Sequence, residues 1–228
     1  GNTINYLPAL TRQYTYMLAN LNPYQVNVEG EVGGQIDLYY TYRSKSNRYR
    51  YWNFHANFST FYKLKANGEG KRDLLWRDIN VDVERQWNKK WKSALLYSFQ
   101  DNMDKQAHIF VGDVTHKFNR KTSLRFEVQY LLSGDDKSEW DGMHSEGDWV
   151  AGLVEFSLAP SWSFYVQDMY NIGQSKTHYY NGGFSYTYNR TRVQLSYGRN
   201  RAGYVCSGGV CRWIPASKGA TLSYNYNF

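Results

Sequence analysis

From Lys218 to Phe228 apolar and polar residues alternate: Ala220, Leu222, Tyr224, Tyr226 and Phe228 fall on one side, Thr221, Ser223, Asn225 and Asn227 on the other. A period of two is that of a β-strand, whose successive side chains point to opposite faces. An aromatic face backed by amides and hydroxyls suits a wall with hydrocarbon on one side and water on the other. The same rule recurs along the chain. Ile36, Leu38, Tyr40 and Tyr42 oppose Gln35, Asp37 and Thr41, and Trp52, Phe54, Ala56, Phe58, Tyr62 and Leu64 oppose Asn53, His55, Asn57, Ser59 and Lys63. Leu75, Ile79, Val81, Val83 and Trp87 then oppose Asp78, Asn80, Asp82 and Glu84, a spacing no amphipathic helix would give.

Further strands are expected at 91 to 100 (Leu95, Tyr97 and Phe99 against Lys92, Ser98 and Gln100), 107 to 118, and 123 to 132 (Phe126 and Val128 against Arg125, Glu127 and Gln129). Four more, at about 148 to 158, 162 to 172, 177 to 188 and 192 to 200, precede the terminal one; Arg192 opens the last of them on its polar side. Asp168 falls on an apolar face, a position that calls for headgroups or a protein contact. Short turns at 88 to 90, 119 to 121, 159 to 161 and 189 to 191 alternate with longer loops near 65 to 73, 101 to 106, 133 to 147, 172 to 177 and 201 to 217. Short periplasmic turns alternating with long outer loops define an antiparallel transmembrane β-barrel, and the fold expected is all-β with 11 to 12 strands. Residues 32 to 228 carry the barrel strands, while 1 to 31, with Pro8 and Pro23, read as loop and partial strand. Residues 10 to 20, with Leu10, Tyr14, Tyr16 and Leu18 in step, offer a twelfth strand. The rival expectation, favoured slightly, is that the chain is the carboxy-terminal part of a larger barrel; the opening Gly-Asn without a leader suits a mature or truncated product.

Composition agrees with a lipid-facing surface. Aromatics make up 18% of the chain, with 22 Tyr and 8 Trp, yet mean hydropathy is −0.70. Amphipathic rings spread over a half-lipid surface reconcile the two. The sequence has no apolar run of the roughly eighteen residues a spanning helix needs. The net charge of +7 lies largely in expected turns (Arg43, Lys45, Arg48, Arg50, Lys89, Lys90, Arg120, Lys121, Arg190), a distribution that suits solubility or lipid phosphate and not nucleic acid.

Three stretches, Leu7 to Tyr24 (LPALTRQYTYMLANLNPY), Gly30 to Tyr42 (GEVGGQIDLYYTY) and Cys206 to Phe228 (CSGGVCRWIPASKGATLSYNYNF), together resemble a Bacteroidota family of outer-membrane β-barrels of unassigned function. The resemblance implies a bacterial outer-membrane location and no catalytic residues. The terminal aromatic strand, Tyr224, Tyr226 and Phe228, resembles the signal by which such barrels engage the assembly machinery; the remaining partners expected are outer-membrane lipid, lipopolysaccharide and other outer-membrane proteins.

Candidate chemistry is sparse. Cys206 and Cys211 share one Gly-rich loop, and a disulfide is the first reading, ahead of free thiols and well ahead of a metal site. The acidic loop with Asp135, Asp136, Glu139, Asp141, Glu146 and Asp148 lacks EF-hand spacing. His55, His108, His116, His144 and His178 are dispersed, so neither metal nor cofactor is expected. His55 and Ser59 share a strand face about 13 Å apart, too far for a nucleophile and its base, and no enzyme is expected. The residues expected to face the lumen, Asp37, Asn53, His55, Asp78, Asp82, Glu84, Lys92, Arg125, Glu127 and Arg192, mix both signs. Such an interior favours a packed or narrow bore and, in function, a structural or accessory subunit of an outer-membrane assembly, the alternative being a porin-like channel for small polar solutes.

Overall fold

The computed structural model describes residues 15–27, 29–47, 49–102, 105–133, 147–173, 175–207 and 210–226; for Lys105, 204–207 and 210–212 only the backbone is described. Its described residues contain strands and no helix. β1 (Glu31–Arg43), β2 (Tyr51–Lys63), β3 (Leu74–Gln86), β4 (Trp91–Asn102), β5 (Lys105–Lys117) and β6 (Thr122–Ser133) are followed by β7 (Trp149–Leu158), β8 (Trp162–Asn171), β9 (His178–Tyr188) and β10 (Thr191–Asn200). A hairpin of β11 (Gly203–Ser207) and β12 (Val210–Ile214) precedes β13 (Ser217–Tyr226). β1 to β10 and then β13 form one 11-stranded antiparallel sheet in chain order. The all-β antiparallel fold is therefore as the alternation requires.

Three connections differ from the sequence reading. Most of the loop expected at 101 to 106 is strand: β4 runs on to Asn102 and β5 begins at Lys105, with Asp101 and Gln106 paired across the ladder. The loop at 201 to 217 folds partly into β11 and β12, in which Cys206 lies opposite Cys211. Residues 15 to 27 are turn and extended coil and join no sheet, so the described part of the proposed twelfth strand, with Tyr16 and Leu18, is not one. Leu10 and Tyr14 lie outside the described residues.

The sheet curls around that segment. Tyr16 to Tyr24 reaches β4, β5 and β6, touches β1, β2 and β3, and receives a hydrogen bond from Arg201 just past β10. One short segment can touch so many strands only if it lies on a concave face. The convex face carries the apolar residues of the alternation, with Leu95, Val166 and Leu222 each about two-thirds exposed at 67, 66 and 71%. Within the described residues β1 pairs only with β2 and β13 only with β10. With eleven antiparallel strands both edge strands run toward the short-turn end.

Close backbone approach marks β9 and β10. A Cβ on Gly183 would stand 2.5 Å from the Leu195 carbonyl oxygen, and one on Gly198 2.5 Å from that of Tyr180. Gly219 on the neighbouring strand has nothing within 4 Å. Glycines at such points let a sheet bend and close. Gly183→Val should therefore destabilise the folded protein by about 1–3 kcal/mol, the usual scale of overpacking, whereas Gly219→Ala should stay within about 0.5 kcal/mol. Denaturant midpoints in detergent check both.

Candidate functional site: the concave face and its inner segment

Cross-strand register collects the polar residues of alternate positions into two charge networks on the concave face. In the first, the His55 ring lies between two carboxylates, its Nε2 2.9 Å from Asp37 and its Nδ1 2.8 Å from Asp82, while Tyr39 stacks on it at 4.2 Å. Asn57 donates to Asp37 at 2.8 Å, and Asn80 donates to Asn57 at 3.1 Å and to Asp78 at 3.2 Å. Ser59 donates to Asp78, both fully buried. Ser59 and His55 thus engage different carboxylates and form no nucleophile–base pair. Toward the short-turn end Glu84 accepts from Tyr51 at 3.1 Å and Asn53 at 3.3 Å and pairs with Lys92 at 2.5 Å.

The second network centres on Arg125. Its guanidinium reaches Asp113 at 2.8 Å, Glu127 at 2.5 Å and Glu155 at 3.9 Å, one cation among three carboxylates of β5, β6 and β7. Gln129 donates to the other oxygen of Glu127. Buried charges persist only when paired and hydrogen-bonded, and removal of one partner is far more costly than the pair's own contribution. Arg192 lies on the same face by alternation, between Thr187 and Asn225.

Between the second network and the long-loop end the concave face of β4 to β7 becomes apolar, which strict alternation does not reveal. Leu96, Ile109, Val111, Leu131, Trp149 and Ala151 form one buried cluster with Leu18, Ala19 and Leu21 of the inner segment. Runs that are apolar on both faces, Leu95-Leu96, Ile109-Phe110-Val111, Leu131-Leu132 and Trp149-Val150-Ala151, are the signal for this patch. A second anchor is Tyr24, whose ring lies 5.5 Å from those of both Phe61 and Trp76 and whose hydroxyl donates to Glu31. Polar clamps set the register of the segment: the Leu18 amide donates to Gln129 at 2.8 Å, Gln100 donates to the Ala19 carbonyl at 2.9 Å, and Arg201 donates to the Leu21 carbonyl. Burial, reinforced by the charges of Asp113 and Glu127, pushes the Tyr16 phenol up to about 12, so it remains a donor toward Asp113. Burial lowers the Arg201 guanidinium from its ordinary value.

Beside the inner segment a cavity of about 340 Å³ remains, bounded by Tyr16 and Asn20 on one side and Gln167, Tyr179, Asn181 and Arg201 on the other. Its lining mixes amides, guanidinium and aromatic rings. The described residues hold no group of three or more His, Cys, Asp or Glu placed for a metal. The calcium question at 135 to 146, His144, the Cys206 and Cys211 side chains, and Phe228 lie outside the described residues or side chains. Tyr224 and Tyr226 lie exposed on the convex face of β13. Asp168 is on the convex face, as its register requires, and pairs there with His178 at 2.6 Å, near the long-loop end of β8.

A family profile matches residues 1–228. The chain belongs to DUF6029, a family of unknown function. No curated protein sequence matches DUF6029's member described here. Among solved structures it is similar to the KdgM porin, at 10% identity and a TM-score of 0.36 over 87% of this chain and 95% of that one. A second, the KdgM porin in complex with disordered oligogalacturonate, matches at 9% identity and a TM-score of 0.36 over the same shares.

The apolar contacts make Leu18 the anchor of the inner segment. Leu18→Ala should loosen that segment locally, by about 2–5 kcal/mol in the transfer-plus-cavity range, and leave the sheet intact. Hydrogen exchange should then rise at the amides of Leu18 to Leu21 while those of β4 to β7 keep their protection.

Proposed function

We propose that this DUF6029 protein is an integral outer-membrane β-barrel that forms a porin-like conduit for small polar solutes, narrowed by its own inner segment. The convex face carries this reading. Its aliphatic band, including Leu38, Val81, Leu95, Val128 and Val166, lies between Trp52, Trp87, Trp91 and Trp162 at the short-turn end and Tyr62, Tyr130, Tyr170 and Tyr180 at the other. Two aromatic belts around an apolar band are the surface of a transmembrane barrel, and strands of 10 to 13 residues are long enough to cross tilted. The concave face supplies the polar interior, and the cavity beside the inner segment is the space a solute would use.

A second reading, a structural or accessory subunit of an outer-membrane assembly, is favoured by the edges of the sheet. β1 and β13 each have one unpaired side in the described structure, and hydrocarbon does not tolerate unpaired backbone. Parallel pairing of β1 with β13 would close the ring, as would an odd number of further antiparallel strands from the same or another chain. Barrel-assembly machinery and lipopolysaccharide are the partners either reading entails.

Planar-bilayer recording tests the choice. A conduit predicts stable conductance that rises several-fold when residues 15–24 are deleted; no conductance from either form sinks the conduit and leaves the subunit reading. The opposed positions of Cys206 and Cys211 suit a disulfide, since directly opposite strand residues have their Cα atoms within bridging distance. Reduction of freshly purified protein should add the mass of two hydrogens and cost about 2 kcal/mol or less, because the ring is short. Two free thiols before reduction would exclude the bond.

A further inference from the structure

The topology gathers the cations of separate turns onto one rim. Five connections lie at the short-turn end, at 44–50, 87–90, 118–121, 159–161 and 189–190, and not one contains Asp or Glu. They carry Lys45, Arg50, Lys89, Lys90, Arg120, Lys121 and Arg190, scattered along the sequence but neighbours in space because successive hairpins adjoin. None of these makes an ion pair among the described residues, and Glu84, toward this end of the concave face, is already paired with Lys92. The loops at the opposite end, by contrast, include Glu69, Asp73 and Asp148, and Lys63 holds the Asp73 carboxyl below its usual range.

The rim is also built against the aromatic belt. The Arg85 guanidinium, on the convex face, lies 4.2 Å from the Trp52 ring and 3.5 Å from that of Trp87. Arg50 donates to the Trp87 carbonyl at 3.2 Å, and the Lys89 ammonium lies 4.5 Å over Tyr49. Tryptophan at a membrane surface sits at headgroup depth, so cations stacked on these rings are held at the level of lipid phosphates. Guanidinium and ammonium groups without protein carboxylates recognise phosphate, and like-signed charges confined to one rim add their attraction within a Debye length.

We propose that this rim is a binding surface for anionic phospholipid headgroups of the periplasmic leaflet. The proposal rests on the transmembrane reading and on short turns facing the periplasm. Reconstitution of the full chain into phosphatidylcholine vesicles, with and without brominated phosphatidylglycerol, reads it through quenching of belt tryptophan fluorescence. The parent should select phosphatidylglycerol several-fold over phosphatidylcholine, and high salt should reduce the selection. Joint replacement of Lys89→Gln, Lys90→Gln, Arg120→Gln and Lys121→Gln should bring the selection close to unity. Replacement of Lys65→Gln, Lys71→Gln, Arg72→Gln and Lys176→Gln, which removes equal charge from the opposite end, should leave it unchanged.

Retention of the preference in the rim variant, or equal loss in the control, overturns the proposal. Displacement of lipid by inorganic phosphate at matched ionic strength would assign the rim to free phosphate and overturn it too. Quenching by brominated phosphatidylcholine reports insertion separately, so failure of the membrane reading is distinguished from failure of the rim.

Discussion

Backbone hydrogen bonding from strand to strand is the constraint on which the remaining structure depends. Each strand from β2 to β10 spends its amides and carbonyls on two neighbours, so a single unbroken ladder fixes every side chain to one of two faces. A one-residue slip would turn Leu95 and Val166 inward and Arg125 and Glu127 outward, and register is accordingly held by the large difference between the faces. The bulge near Phe61, where Tyr62 pairs with Leu74, is the one described irregularity of the β2–β3 ladder, and it leaves Leu75 buried beside Tyr24.

With the faces set, electrostatics determines what the concave side contains. Arg125 among Asp113, Glu127 and Glu155, and His55 between Asp37 and Asp82, tie adjacent strands laterally where no aliphatic core is available. The inner segment completes what these networks leave open. Leu18, Ala19 and Leu21 cover the apolar patch of β4 to β7, and side-chain amides from Gln100 and Gln129 satisfy the segment's own backbone. Polar networks and a local apolar seat thus coexist on one concave surface, with a cavity beside the inner segment at β8 and β9.

The two ends of the sheet differ in charge as well as in loop length. Short turns leave little room for anything but turn-forming Asn and flanking Lys or Arg, as in Asn88-Lys89-Lys90 and Asn119-Arg120-Lys121, where the Asn side chains cap the turn amides. The longer connections carry both signs and extra structure, including the β11–β12 hairpin. Membership in DUF6029 gives the chain a family, and the register of its sheet gives it one apolar and one polar face.

The positions of the eleven strands of the main sheet, their hairpin order and the identity of the two faces were legible in the amino acids, because side-chain alternation at period two is local, whereas the short β11–β12 hairpin was hidden in an expected loop. The membership of the charge networks was legible only as a face: Arg125, Glu127 and Asp113 are polar positions in sequence, but register alone makes one guanidinium serve three acids. The role of residues 15 to 24 was not legible, since Tyr16 and Leu18 are in step for a strand and their burial depends on contacts more than a hundred residues away, at Gln129 and beyond. The basic rim was likewise invisible as a unit. Its lysines and arginines are separated by whole hairpins, and only the sheet, by placing alternate turns at one end, makes them neighbours.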